Sequence, residues 1–473
     1  MPTDAIARTV QSLVFTGFGT LPHSAMLRLR GIHRDWLQRV LPQLTFGRDA
    51  HALGIQLLLT ARGMAALGLA AEQIHALGRE VRNGMTSTPS RQRIGDVGPM
   101  QPTDAWWTDL DHDAMLLVYG ATAAELMPMV DALAQGVEIS GQRTLRIPTG
   151  SREPFGFLDG ITRTRIPREG EAPADQIADG EVLLGHRDAT GAIADGGPFG
   201  LHGSLVVVRE LAQDVEAFWQ FWMHAAGDDV RTALLLASKA VGRWPNGMPL
   251  KPGDTQEPAL VEEQLHWRSF ADDPEGDGCP FGAHVRRANP RDTLIPDAAL
   301  SREISALHAL IRRGRVFGPD APNAWYPPPL RAAMRADAGT NANAEAGTGA
   351  DTTAAGGVDI DVDVDVGASV DQARGLMFIG LCTDLRRQFE FIMQNWLLAP
   401  KHAGLYNEVD PLLAHTGTSR DFSLPTGGFC RHLNPVGGWI APRGGGYYLM
   451  PARDALETLL QTPPAQPEPP AAA

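Results

Sequence analysis

The chain has 473 residues, a formal net charge of −14 and hydrophobic residues at 43% of its positions. The acidic balance argues against a nucleic-acid-binding protein or one held on an anionic membrane, because phosphate groups would be repelled. No apolar run approaches the ~20 residues that a membrane span needs, and the start of the chain lacks the pattern of a secretory signal. We therefore expect a globular protein of roughly two or three domains, with the cytoplasm as its location.

Cysteine usage limits how a cofactor could be held. Cys279, Cys382 and Cys430 are too few and too scattered for a disulfide framework. The sequence contains neither CxxC nor CxxCH, which argues against a zinc ribbon and against a covalently attached c-type haem. Any cofactor must therefore be held in another way.

The first third of the chain alternates short apolar runs with longer Ala/Leu-rich stretches. The runs at 10–18, 53–60 and 114–120 are rich in residues that suit pleated strands, and the stretches after them are typical of helices. A region rich in Pro and Gly then covers about 147–200, and its turn chemistry predicts loops. We expect an N-terminal α+β domain over 1–143 and a loop-rich connector over 144–203.

The same alternation returns after residue 200. The run at 204–211 predicts a strand, and Val215, Phe218, Trp219 and Trp222 follow it at the spacing of an amphipathic helix. Further strands are predicted at 375–382 and 445–451, each before a helical pattern; the first of these helices carries Leu385, Phe389, Ile392 and Trp396 on one face. Two halves with one rhythm suggest a duplicated unit, with the second domain over 204–460, although no residue-level repeat is present.

Two segments do not fit this rhythm. Residues 336–370 are small and acidic with no aromatic side chain, so they predict a disordered insertion. Its alternating aspartates lack the glycine and glutamate that an EF-hand loop needs. The Pro/Ala-rich tail over 461–473 is also expected to be unstructured.

Four polar residues lie in apolar or Gly-rich surroundings, and each also has an ordinary structural interpretation. Asp159 in EPFGFLDG could simply form a turn, and His284 in CPFGAHVRR could be a structural histidine. Arg312 in LIRRGRVFG could belong to a solvated basic run. Asp384 follows a predicted strand and could be nothing more than a helix N-cap. The sequence shows no P-loop, dinucleotide fingerprint, GxSxG or HExxH pattern that would indicate another chemistry.

Taken together, seven segments resemble the dye-decolorizing peroxidase family in the same order along the chain. They are EPFGFLDG, HGSLVVVREL, VGRWPNGMPL, GCPFGAHVRRANPRD, LIRRGRVFG, GLMFIGLC with QFEFIMQNW, and GGGYYLMPA. The opening VQSLVFTGFG also looks like that family's first strand. The resemblance covers nearly the whole chain except the insertion at 336–370 and the tail.

The resemblance implies an α+β fold of two ferredoxin-like modules with antiparallel sheets, of the dimeric α+β barrel type. It also implies non-covalent haem b in the C-terminal half. The expected activity is reduction of hydrogen peroxide with oxidation of aromatic donors such as dyes and phenols, by way of a compound I intermediate. We expect neither nucleic acid nor membrane as a partner, and association into a homo-oligomer is compatible with the resemblance.

Carried over position by position, the resemblance makes His284 the proximal iron ligand and Asp159 the distal acid–base residue. Arg312 matches the distal arginine, although Arg313 and Arg315 lie beside it, and Asp384 matches the carboxylate partner of the histidine. An ionised Asp159 would move the proton of peroxide, so we expect activity to favour mildly acidic pH.

The resemblance carries two further expectations. Arginines near His284 and Arg312 could serve haem propionates or the peroxide chemistry. Trp396 is a candidate surface residue for electron transfer to donors that are too large for the haem pocket, with packing in the core as the alternative.

Two other functions remain open at this stage. A haem carrier, transfer protein or sensor would use the same pocket without fast turnover, but it would not need the pair of Asp159 and Arg312. An α+β barrel that binds another aromatic ligand would leave His284 with a structural role.

Overall fold

The computed structural model describes residues 4–161, 164, 166, 177–266, 269–345, 373–426 and 429–464. In these ranges the strands, numbered in chain order, are β1 His23–Arg30, β2 Gly54–Leu59, β3 Trp107–Thr108, β4 Ala114–Gly120, β5 Glu138–Arg146, β6 Ser204–Gln213, β7 Ile311–Arg312, β8 Arg315–Phe317, β9 Gly375–Cys382, β10 Phe422–Thr426, β11 Phe429–Leu433 and β12 Ile440–Met450. Strands β10 and β11 form a hairpin, and the other strands form one sheet.

The order of strands in the large sheet repeats one pattern. The N-terminal part runs β2-β4-β1-β5 and the C-terminal part runs β8-β9-β6-β12, with antiparallel neighbours in both. In each half the strands therefore lie in the order second, third, first and fourth, which is the arrangement of a ferredoxin-like module. The rhythm predicted from the sequence corresponds to this duplicated unit.

The two modules join through their edge strands. Leu145 of β5 pairs with Phe317 of β8, and Leu59 of β2 pairs with Leu449 of β12. Buried side chains from both halves form a shared core, which includes Met26, Leu117, Val206, Ile379 and Tyr448. Because side chains alternate along a strand, Leu376, Phe378 and Gly380 of β9 lie on the face of the sheet opposite to Ile379.

Helices cover the modules. The α-helices of the described residues are α1 Asp4–Ala7, α2 Arg34–Val40, α3 Ala61–Ala66, α4 Ala71–His75, α5 Arg79–Asn83, α6 Thr88–Ile94, α7 Ala123–Ala134, α8 Gly197–Gly200, α9 Val215–Ala225, α10 Val230–Val241, α11 Glu262–Leu265, α12 His284–Ala288, α13 Ala298–Ala306, α14 Pro328–Glu345 and α15 Arg453–Gln461. Two π-helical segments, Arg386–Glu390 and Ile392–Leu397, follow β9. None of the helices in the described ranges is both long and apolar enough to cross a bilayer.

Most of the predicted strands are confirmed, since 53–60, 114–120, 204–211 and 375–382 all fall on strands. The prediction for 10–18 is wrong, because Ser12–Val14 is a 3₁₀ turn. Its Gln11 side chain donates to the carbonyl oxygens of Leu57 and Pro451. The apolar side chains are buried as expected, and Val10, Leu13 and Val14 belong to the core shared by both halves.

The predicted disordered insertion begins later than the sequence indicates. Helix α14 continues through Ala336 as far as Glu345, so residues 336–345 are helical and that part of the prediction is wrong. The remainder, 346–370, lies outside the described residues. The predicted tail also starts later, because α15 ends at Gln461, and 465–473 lie outside the described residues.

Candidate active site

His284 is the first residue of α12, and a buried carboxylate binds one side of its ring. Its Nδ1 lies 2.7 Å from Oδ2 of Asp410. The Asp410 side chain is 0% exposed, whereas that of His284 is 31% exposed. A carboxylate accepts a hydrogen bond, so Nδ1 carries the proton and Nε2 is left free as the ligating nitrogen.

Asp410 is itself held in place. Its Oδ1 accepts hydrogen bonds from the N–H groups of Leu412 at 2.9 Å and Leu413 at 3.2 Å, and its own N–H donates to the carbonyl of Leu397. Burial by itself lowers the pKa of His284, but the charge and hydrogen bond of Asp410 outweigh this effect and the pKa is raised. The carboxylate therefore fixes both the orientation of the ring and its protonated nitrogen.

The predicted role of Asp384 is wrong. Asp384 lies just before the first π-helical segment, where its Oδ1 accepts the N–H of Arg387 at 2.9 Å. It borders a cavity of about 410 Å³ together with Arg79, Glu80 and Arg93 of the N-terminal module. The alternative interpretation as a helix cap is correct, and Asp410 takes the place next to His284.

The arginines after His284 serve the structure of α12. Arg286 is buried and donates to the carbonyls of Asp273 and Cys279. Arg287 is also buried, and its donors reach carbonyl oxygens of Trp396, Leu397, Ala399 and Glu408. The expectation that these two arginines serve a ligand is therefore wrong. They instead fix the helix that positions the histidine.

Asp159 ends a tight turn of the connector and is exposed. Its N–H donates to the carbonyl of Ser151 at 2.7 Å, and its Oδ1 accepts the N–H of Gly160 at 2.6 Å. Gly156 and Gly160 have φ values of 97° and 73°, a region that side chains rarely adopt. The glycines of the motif are therefore required by the backbone of this turn.

Surrounding side chains bind the carbonyl oxygens of the turn. Arg152 donates to Gly156 at 3.0 Å, Trp219 of α9 donates to Phe155 at 3.0 Å, and Tyr326 donates to Pro154 at 2.7 Å. The Phe155 ring stacks on Phe218 at 4.2 Å between centroids. The turn is thus attached to the helical core of the second module, while the Asp159 side chain stays accessible.

The structure distinguishes Arg312 from its two neighbours. Arg313 donates to the carbonyls of Leu13 and Val14, and the buried Arg315 donates to carbonyls of the segment 17–22. Arg312 is exposed. Its positive charge acts to lower the pKa of His284, against the larger effect of Asp410 that raises it. Arg313 and Arg315 hold the N-terminal segment, so Arg312 is the one of the three that is left as a candidate for the distal arginine.

Arg312 shares one face of the sheet with apolar residues. It pairs with Gly380 of β9, and Arg209 of β6 pairs with Phe378. Opposed residues in an antiparallel pair project to the same side, so Arg312, Phe378 and Leu376 line the same face. Phe378 packs against Phe389 on this face, with 5.8 Å between the ring centroids.

Trp396 is not a surface residue. Its side chain is only 4% exposed, and the rings of His308 and Phe391 lie 5.1 Å and 5.6 Å from it. The predicted surface role is therefore wrong in its placement, and the alternative of core packing is correct. Its carbonyl accepts a hydrogen bond from Arg287 at 2.6 Å, so the residue also supports α12.

The sequence interpretation missed Asp410. The residue stands in VDPLLAH, an aspartate before Pro and an apolar run. This pattern favours a turn in which the side chain accepts nearby N–H groups, as it does here. The pattern carries no information on the contact with His284, which is 126 positions away.

The residues present fit a haem. A histidine with a free Nε2 and a carboxylate-bound Nδ1 is a suitable axial donor for haem iron. The fit rests on this donor pair and on Arg312, whose charge acts on His284.

Comparisons with known proteins find similar sequences and similar folds. No protein-family model matches the chain. It is 23% identical to Peroxidase 2 of Mycetinis scorodonius over 86% of this chain and 76% of that protein. It is 26% identical to the multifunctional dye peroxidase DyP2 of Amycolatopsis sp. over 95% and 92% of the two chains. A solved dye-decolorizing peroxidase in complex with 2,6-dimethoxyphenol has a TM-score of 0.71 at 18% identity, covering 96% of this chain and 99% of that chain.

The fold is that of the dye-decolorizing peroxidases, which confirms the predicted α+β class with two ferredoxin-like modules. The sequence is also similar to dye-decolorizing peroxidases along most of its length.

Proposed function

We propose that this chain is a haem peroxidase that reduces hydrogen peroxide while it oxidises aromatic donors such as dyes and phenols. The observation that carries the proposal is the pair His284–Asp410, joined at 2.7 Å, in one site with Arg312. The names of the similar proteins support the activity, and the phenol complex of one of them supports phenols as donors.

The cofactor in this proposal is haem b, held without a covalent bond. His284 would bind the iron through Nε2, and the absence of a CxxCH motif in the sequence supports non-covalent attachment. When bound, the haem supplies the electron transfer between peroxide and donor. Asp410 keeps the Nδ1 proton, gives the ring partial anionic character and strengthens its donation.

Asp159 and Arg312 are proposed to handle the peroxide. The carboxylate of Asp159 takes a proton from one peroxide oxygen and returns it to the departing oxygen, a role worth ~10²–10⁴-fold for a positioned group. The guanidinium of Arg312 stabilises the negative charge that develops on the departing oxygen. A haem carrier or sensor has no use for this pair, so the two residues favour an enzyme.

The test is the absorption spectrum of the haem-replete protein before and after one equivalent of hydrogen peroxide. We expect a Soret band that changes within the mixing time and returns to its resting form when a phenol is added. A protein without a Soret band would point to a non-haem aromatic ligand. A band that peroxide leaves unchanged would point to a carrier or sensor.

A further inference from the structure

We propose that Glu153, together with Gln213, is the positioning residue for the turn that carries Asp159. The inference rests on the proposed function. Oε2 of Glu153 accepts the N–H of Phe155 at 3.0 Å, and Oε1 accepts the N–H of Phe157 at 3.0 Å. Asp159 follows Phe157 by two residues, so the carboxyl group of Glu153 sets the path of the backbone that leads to it.

Gln213 anchors Glu153 to the sheet. It is the last residue of β6, and its Nε2 donates to Oε2 of Glu153 at 2.9 Å. Its own N–H donates to the carbonyl of Arg374 at 2.8 Å. The turn is thereby connected to a strand whose position is fixed by pairing with β9 and β12.

The Gln213 side chain has an unused acceptor. Gln213 is 6% exposed, and its Oε1 has no hydrogen-bond partner among the described residues. A buried oxygen without a partner is costly. If the amide rotates, Oε1 can accept the proton of a neutral Glu153, while the carboxyl oxygens still face Phe155 and Phe157. The pair can therefore hold the turn in either protonation state of Glu153.

Charge links Glu153 to both Asp159 and His284. The pKa of Glu153 is raised to about 7, mainly by burial and to a lesser extent by the charge of Asp159, while the hydrogen bonds from the N–H of Phe155, the amide of Gln213 and the N–H of Phe157 lower it. The charge of Glu153 in turn acts on Tyr326 and on His284. Among the described residues Glu153 makes no hydrogen bond to Asp159 or His284, so it acts on Asp159 through the backbone of the turn.

The experiment compares Glu153→Gln with the unchanged protein, both as full-length haem-loaded chains. The substituted side chain keeps its size but presents an NH₂ group to one of the two N–H donors. We expect amide hydrogen exchange in the segment 153–159 to accelerate about fivefold, the equivalent of one lost hydrogen bond of about 1 kcal/mol. We expect the reaction with peroxide to slow by about 10- to 100-fold, with haem content unchanged.

Asp109→Asn is the matched control. Asp109 is a buried acid of the N-terminal module whose Oδ2 accepts the N–H groups of Met85 and Tyr447. Its substitution changes a buried acid that also accepts two backbone N–H groups, far along the chain from the turn. We expect it to lower stability while exchange at 153–159 and the peroxide rate stay unchanged.

The outcomes separate the alternatives. Unchanged exchange at 153–159, or faster exchange with an unchanged peroxide rate, overturns the positioning role. An equal loss of rate in Asp109→Asn also overturns it, since general destabilisation would explain both. If the unchanged protein does not react with peroxide, the proposed function fails, and the exchange comparison still decides whether Glu153 holds the turn. If Glu153→Gln does not fold, Gln213→Ala serves, with the same changes expected to be smaller.

Discussion

The two sides of His284 differ in how they are built. On the side of Asp410, the carboxylate is fully buried, and the neighbouring Arg287 is bound to several backbone carbonyls. Asp159 and Arg312, which are proposed to form the other side, are exposed at the end of a turn and on a short strand. The proximal side is part of the core of the module, whereas the distal side is presented on its surface.

The difference fits two different functions, one of holding a ligand and one of moving protons. A residue that holds a ligand benefits from a rigid, buried support. A residue that moves protons must reach both solvent and substrate. The position of its side chain therefore has to be fixed by the backbone that carries it. The distal side therefore depends on the interactions beneath the turn, such as those of Glu153.

The largest effect is expected on the proximal side. His284→Ala removes the only nitrogen proposed to bind the iron, so the Soret band should be lost or haem binding weakened by more than about 100-fold. The exposed His224 of α9 provides the control, since His224→Ala should leave the spectrum unchanged. A normal Soret band in His284→Ala would contradict the proximal assignment.

The next effect belongs to the distal side. Asp159→Asn should retain haem but slow the reaction with peroxide by about 10²–10⁴-fold, because the amide cannot accept the proton. Stopped-flow absorption measures this rate. If Arg312→Leu causes the greater loss, the arginine is the main catalyst, and a rate that rises steadily up to pH 8 would argue against Asp159 as the base.

A smaller effect separates the two aspartates near the proximal side. Asp410→Asn should weaken haem binding by about 10- to 100-fold, because the amide holds the Nδ1 proton of His284 poorly. Asp384→Asn is the control, since Asp384 caps a π-helical segment and should leave haem affinity unchanged. Haem titration measures the affinity of both variants. A loss of affinity in Asp384→Asn but not in Asp410→Asn would make Asp384 the partner of His284.

Trp396 gives a still smaller expected effect on activity. Trp396 is buried against the rings of His308 and Phe391, so Trp396→Phe should lower stability by about 1–2 kcal/mol through the cavity that it leaves. Turnover of bulky dyes should be unchanged when measured below the unfolding temperature. A selective loss of dye oxidation, with phenol oxidation intact, would show that a buried Trp396 still relays electrons.

The smallest effect is a pH dependence of stability from the distal side. The pKa of Glu153 is raised to about 7 from 4.5, so the folded chain binds this proton more tightly than the unfolded chain. Stability from this group is fully present below about pH 4.5 and is lost as the pH rises through about 7. Between pH 4.5 and pH 8, the free energy of unfolding measured in urea should fall more for the unchanged protein than for Glu153→Gln. An equal fall in the two proteins would contradict the raised pKa.

Much of the fold could be predicted from the sequence. The strands at 114–120 and 375–382 coincide with their apolar runs, because fully buried strands need continuous hydrophobic residues. The run at 10–18 is also apolar and buried, but Ser12–Val14 forms a 3₁₀ turn instead of a strand. Composition predicts burial, whereas pairing depends on which edge of the sheet is available.

The sequence by itself determined the glycine turn around Asp159 and the alternation of strands and helices, because these depend on neighbours along the chain. Only the tertiary structure decided that Asp410 and not Asp384 binds His284, and that Trp396 is buried. The physical reason is the same in both cases. Two residues 126 positions apart meet only when the sheet and its covering helices are assembled, and no local pattern records that contact.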